Sequence, residues 1–212
     1  MIKIIPAILV EDKKEFLEKL RLIPRSVKWA QIDVMDGTLT RKKSFADPKL
    51  LQKFSRLNFE IHLMVKHPLR IIPAWTKTKH IIFHIESRDD PARVIDAIHK
   101  QNAEAVIAIN PKTPMQKISP LLKWIDGVTV MAVTPGAQGR IFQKNALKKI
   151  TELKKEYPGL PIEIDGGIGP TTIPRAIAAG ANRFAAASAV FGQSDPNAAL
   201  RGIIRLANPS KP

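Results

Sequence analysis

Gln31-Ile32-Asp33-Val34-Met35-Asp36-Gly37 reads as the end of a buried strand running into a turn. Residues 27–30, with Trp29 among them, are apolar enough to enter a core. Successive strand side chains point to opposite faces, so Gln31, Asp33 and Met35 share one. An amide and a carboxylate therefore stand on the inward side. A carboxylate is rarely buried without a partner or a task. Asp36, just before Gly37, has the simpler reading of a turn-former. Asp33, between Ile32 and Val34, does not, and further polar stations of this kind follow later in the chain.

Toward the N-terminus, residues 4–9 read as a short strand. Residues 11–22 place Phe16, Leu17, Leu20 and Leu22 among charges at helical spacing, and Pro24 stops the run. Beyond the opening stretch, a basic loop at 38–44 leads to a short helix at 48–57. Strands are predicted over 58–64, 80–85, 103–109, 127–133, 161–164 and 182–187. Helical stretches at 68–76, 90–101, 143–157, 171–179 and 196–206, with a brief helix within 113–122, alternate with them, and residues 207–212 are expected to fray. The strands read as short and continuously apolar, as parallel strands covered by helices should be. Eight strand-then-helix units in 212 residues predict one domain over residues 1–212, a closed (β/α)8 TIM barrel. A doubly wound open sheet is the rival arrangement.

Composition narrows the function classes. A chain of 212 residues can bury a full core. It has no cysteine, which removes disulfides, thiolate nucleophiles and Cys-ligated metals. The first residues are interrupted by Pro6 too soon for a signal peptide, and no apolar run matches a membrane span. A soluble, cytoplasmic protein is expected. The formal net charge of +15 permits an anionic partner. Its lysines and arginines are scattered, and aromatics do not interleave with them as a nucleic-acid stacking platform requires. Nucleic acid is therefore not the expected partner.

In such a barrel the site forms at the strand C-termini and the loops after them. Gln31 and Asp33 follow strand two, His62 strand three, His84 strand four and Asp165 strand seven. Strands two and seven face each other across the mouth, so a small molecule between them meets a carboxylate on each side. That suits a two-sided proton transfer. His84 reads equally well as a satisfied core histidine, and Asp165 could simply hold its turn. A second constellation is rich in glycine: Gly136 and Gly139 after strand six, then Gly166, Gly167 and Gly169 after strand seven, with Ser188 after strand eight. Such turns let backbone N–H groups approach an anion, and a helix starting near Ser188 would add its positive end. Plain tight turns are the other reading. Arg41, Lys42 and Lys43 read as a solvated loop, with an anion-facing role as the alternative.

Several segments together resemble the ribulose-phosphate 3-epimerase family. They are Ile5-Pro6-Ala7-Ile8-Leu9, the opening stretch, Ile61-His62-Leu63-Met64, Val133-Thr134-Pro135-Gly136 with Gly139, Glu163-Ile164-Asp165-Gly166-Gly167, and Ser188-Ala189-Val190-Phe191. The resemblance implies a ribulose-phosphate-binding barrel that interconverts D-ribulose 5-phosphate and D-xylulose 5-phosphate in the pentose phosphate pathway. It implies Asp33 and Asp165 as the acid/base pair. It also implies a divalent metal (zinc, iron, manganese or cobalt) on Asp33, His62 and Asp165. Met35, Met64 and Met131 would line the pocket, and the glycine loops with Ser188 would hold the phosphate. The departures are specific. Gln31 stands where the family has a metal-binding histidine, and an amide oxygen is the weaker ligand for zinc or iron. Ala7 replaces a substrate-contacting serine, Ala187 a glycine, and residues 40–43 and 137–140 differ from the family's loops. Another ketose phosphate, or a phosphate-ligand-binding barrel without catalysis, are the alternatives. A homo-oligomer is left open.

Overall fold

Eight parallel strands pair in sequence order and close into a barrel. They are β1 (Lys3–Ile8), β2 (Trp29–Met35), β3 (Asn58–Met64), β4 (His80–His84), β5 (Glu104–Ile109), β6 (Gly127–Met131), β7 (Ile162–Asp165) and β8 (Arg183–Ala186). Closure runs through β1 and β8, where Lys3 to Pro6 pair with Arg183 to Ala186. That contact rules out the open sheet. The computed structural model describes residues 2–136 and 141–209. Gly139, with Ala137, Gln138 and Arg140, lies outside the described residues.

One set of strand side chains points outward into the apolar layer beneath the helices. Ile32, Ile61, Leu63, Ile81, Phe83, Ile107, Val130, Ile164 and Phe184 belong to this layer, all fully buried. The helices opposite are α1 (Lys13–Leu22), α2 (Pro48–Leu51), α3 (Pro68–Ile71), α4 (Pro91–His99), α5 (Asn145–Glu156), α6 (Ile173–Ala179), α7 (Ser188–Phe191) and α8 (Pro196–Ala207). Phe16 and Leu20 from α1, Ile150 and Leu153 from α5, and Leu200 and Ile203 from α8 pack into the same layer. Asp12, Asp47, Asp90 and Asp195 each accept a backbone N–H at a helix start. Such caps are worth about 1 kcal/mol apiece. Gly180 ends α6 in the left-handed conformation at φ 112°, where a side chain would be strained. Among the described residues, no helix is long and apolar enough to cross a membrane.

Three expected helical stretches form 3-10 turns in part or in whole. The stretch at 48–57 yields α2 and a 3-10 turn over Gln52–Phe54. The one at 68–76 yields α3 and a 3-10 turn over Ile72–Ala74. The one at 113–122 is two 3-10 segments, Met115–Lys117 and Ser119–Trp124. Pro73 and Pro120 sit inside the latter two runs and cannot supply the N–H an α-helix needs.

The inward set corrects the expectation of continuously apolar strands. Gln31, Glu60, His62, His80, His84, Thr129, Glu163 and Arg183 are polar strand residues buried inside the barrel. Ile82, Val106, Ala108 and Met131 form a small apolar patch among them. Lower in the barrel, Arg183 bonds Glu60 and lies 3.4 Å from a Glu163 oxygen, while Thr129 donates to Glu163 at 3.1 Å. His80 accepts from Arg183 at Nδ1 and faces Glu104 through Nε2 at 2.8 Å. Burial and then the Arg183 charge push the His80 pKa down to about 4. Burial, reinforced by the Glu60 charge, holds the Glu163 carboxyl well above the usual range. The floor thus combines one guanidinium with two carboxyls, Glu60 and Glu163, both of which burial raises above the usual range. Removing one partner of such a buried pair typically costs about 3–5 kcal/mol.

Candidate functional site

At the other end of the interior, above this floor, the β2 and β3 side chains meet β7. Register sets Asp33 beside His62 and Met131 beside Asp165. Asp33, His62 and Asp165 each offer a ligand atom, and these atoms lie within 4.8 Å of one another. His62 Nδ1 is 3.1 Å from Asp165 Oδ2 and 3.5 Å from Asp33 Oδ1. Gln31 Nε2 donates to Asp33 Oδ1 at 2.8 Å and to Asp165 Oδ2 at 3.1 Å, and stands 3.4 Å from His62 Nδ1. The amide nitrogen therefore sits in the middle of the three. Gln31 Oε1, by contrast, is buried with no hydrogen-bond partner among the described residues.

The electrostatics follow from two carboxylates brought together out of water. Burial pushes the Asp33 carboxyl up, and the Asp165 charge adds to it. Burial alone would lower His62, but hydrogen bonds to Asp165 and Asp33 outweigh it and raise its pKa to about 10. Without a metal the cluster holds a proton on His62, shared with both acids. A divalent cation could replace that proton.

Asp33, Asp165, Met64, Met131, Gly136, Gly166, Gly167 and Ser188 line one narrow cavity open toward solvent. Gly166 and Gly167 have φ of 103° and 64°, which suits glycine and turns the chain sharply after β7. A Cβ on Gly166 would come within 2.4 Å of Val133. Ser188 opens α7 at the same wall. His62 is fully buried behind the wall rather than part of it. Met35 faces a neighbouring hollow shared with Lys42, Lys43 and Gly136. Asp36 accepts from the Thr38 N–H at 2.9 Å and holds the turn. Arg41, Lys42 and Lys43 are exposed, and Lys43 bridges back to Asp36 across a small antiparallel contact.

His84 is fully buried, with Nε2 2.9 Å from His62 Nε2 and Nδ1 3.2 Å from a Glu86 oxygen. Glu86 was not singled out by sequence reasoning. Nor were Glu60, Glu163 and Arg183. The available signal was the alternation in Asn58-Phe59-Glu60-Ile61-His62 and in Ile162-Glu163-Ile164-Asp165, where every second residue is polar.

The donor set suits a divalent cation. It supplies one imidazole nitrogen and two carboxylates, a mix that first-row divalent ions accept, while Gln31 turns its amide nitrogen to the same point. The buried cluster of His62, Asp33 and Asp165 could chelate such an ion.

The model of the Ribulose-phosphate 3 epimerase family matches residues 3–191. A ribulose-phosphate 3-epimerase of Bacillus subtilis is 34% identical over 96% of this chain and 98% of its own. The cytoplasmic isoform of Oryza sativa subsp. japonica is 32% identical over 95% of this chain and 92% of its own. Among solved structures, 3-hexulose-6-phosphate synthase from Salmonella typhimurium superposes with a TM-score of 0.73 at 15% identity, covering 97% of this chain and 98% of that one. At that identity the likeness shows the fold alone.

Proposed function

The chain belongs to the ribulose-phosphate 3-epimerase family, and from that premise we propose that it interconverts D-ribulose 5-phosphate and D-xylulose 5-phosphate. One observation carries the reading: the carboxylates of Asp33 on β2 and Asp165 on β7 converge on one point beside a glycine- and serine-lined cavity.

A phosphate among Gly136, Gly166, Gly167 and Ser188 leaves the ketose carbons over the two acids. One Asp removes the proton at C3, alpha to the C2 ketone, to give a cis-enediolate. The other returns a proton to the opposite face, which inverts C3. General acid–base help of this kind is worth roughly 10²–10⁴ in rate. The Gln31 amide and the His62 ring hold both carboxylates in place. Met64 and Met131 cover the reacting carbons with apolar surface. Asp33, His62 and Asp165 would hold a divalent ion. When bound, such an ion would supply positive charge that stabilises the charge developing on the substrate.

The test is conversion of ribulose 5-phosphate by the full chain, with Zn²⁺, Mn²⁺, Fe²⁺ or Co²⁺ supplied in turn. Absence of xylulose 5-phosphate under every metal would overturn the proposal. A second reading, another ketose phosphate as substrate, draws on the Thr40 side chain, which lies 3.1 Å from where a Gly136 Cβ would stand and so shapes the rim. A panel of ketose phosphates separates the two, because activity confined to ribulose 5-phosphate removes the second.

A further inference from the structure

Behind the cluster, a hydrogen-bonded chain leads away from the cavity to Glu86. Its outer end is anchored firmly. Glu86 Oε1 accepts the Asn110 N–H at 3.0 Å and the Thr113 hydroxyl. Lys149 of α5 donates to the Asn110 carbonyl at 2.8 Å and to that of Thr113, clamping the same turn. Glu86 Oε2 then faces His84 Nδ1 at 3.2 Å. The rings of His84 and His62 meet Nε2 to Nε2 at 2.9 Å, and His62 Nδ1 faces Asp33 and Asp165.

We propose that Glu86, acting through His84, is a positioning residue that fixes which nitrogen of His62 is offered to the Asp33–Asp165 cluster. The inference deepens the epimerase reading and rests on that cluster being the reacting centre.

The logic is one of donors and acceptors. An ionised carboxylate only accepts, so His84 Nδ1 carries a proton. His84 has no exposure, and a charged ring there would be costly, so its Nε2 is bare. Two bare nitrogens cannot bond at 2.9 Å, so His62 Nε2 must be the donor. His62 Nδ1 is thereby the atom left for the cluster. The His62 ring is held from behind, as metal-binding histidines commonly are by an outer carboxylate or carbonyl. Here the hold passes through a second imidazole. Nothing in the His84 or Glu86 positions alone reveals this, since neither touches the cavity wall.

The experiment uses the full-length, metal-free protein labelled with ¹⁵N-histidine. Long-range ¹H–¹⁵N correlation reads the proton position on each ring, with His84 assigned against His84→Asn. The expected result is a neutral His84 with its proton on Nδ1. The near-isosteric Glu86→Gln, whose amide can either donate or accept, should give a mixture of tautomers. Co²⁺ affinity, read by calorimetry, should fall ten- to a hundredfold in that variant. A wild-type His84 carrying its proton on Nε2, or a Glu86→Gln protein binding Co²⁺ within twofold of wild type, would overturn the proposal. If wild type binds no Co²⁺, the tautomer alone decides. Failure of ribulose 5-phosphate turnover would refute the epimerase reading while leaving both of these readouts intact.

Discussion

The sharpest consequence of the buried cluster is a pH-dependent stability centred on His62. The ring has no exposure, yet its hydrogen bonds to Asp165 and Asp33 raise its pKa from an unfolded 6.5 to about 10 in the metal-free fold. A raised pKa means that the folded state holds the proton more tightly than the unfolded chain does. The stabilisation is complete below pH 6.5 and is lost as pH climbs through 10. Each pKa unit corresponds to 1.36 kcal/mol, so the full span amounts to on the order of 5 kcal/mol. Between pH 7 and pH 9, two units of that slope are lost, on the order of 3 kcal/mol. For a chain of this length the loss lowers Tm by roughly 5–10 °C. The assay is urea unfolding of metal-stripped protein at half-unit steps from pH 6 to pH 9.5, with His62→Gln in parallel. Wild type should lose stability across that range while His62→Gln stays nearly flat. Parallel profiles for the two proteins would refute the claim that His62 carries the proton. Metal binding should run the other way, tightening with rising pH because the ion competes with that proton.

Three further substitutions probe other parts of the site. Gln31→His adds an imidazole in place of a poorly ligating amide, and calorimetry should show divalent affinity rising on the order of tenfold, about 1.4 kcal/mol. Gly166→Ala forces a side chain onto a residue at φ 103° and drives Cβ against Val133, so thermal melts should show a loss of about 2–4 kcal/mol together with weaker binding of a ketose phosphate. Arg183→Met leaves the buried Glu60 carboxyl without its guanidinium partner and should cost about 3–5 kcal/mol in urea unfolding, with much of the loss recovered when Glu60→Gln is added.

The barrel was readable because its eight strands are separated by helix patterns with clear stops, such as Pro24 before β2 and Gly180 after α6. Helix length was less readable. Pro73 and Pro120 convert expected helix into 3-10 turns, and apolar periodicity does not register a missing N–H. Asp33, His62 and Asp165 stood out as polar residues at strand ends, and the structure brings them to one point. The gathering of Gly136, Gly166, Gly167 and Ser188 on one wall followed from strand order alone. The place of the Gln31 amide did not, because which atom of an amide faces a carboxylate depends on side-chain geometry. The Glu86–His84–His62 chain was hidden for a similar reason. Glu86 lies beyond the end of β4 and is recruited by the turn after β5, a contact across 24 positions that no local pattern encodes. The ionic floor of Glu60, Glu163 and Arg183 was masked by reading whole strands as apolar when only their outer faces are.

The central claim is that Asp33 and Asp165 act on opposite faces of one substrate carbon. Its most direct test is incubation of ribulose 5-phosphate with metal-supplied protein in D₂O, following C3 by proton NMR. Wild type should place deuterium at C3 of both ribulose and xylulose 5-phosphate, and Asp33→Asn and Asp165→Asn should each slow epimerisation by about 10²–10⁴. Full epimerisation in either variant, or product that keeps its C3 proton without exchange, would contradict it.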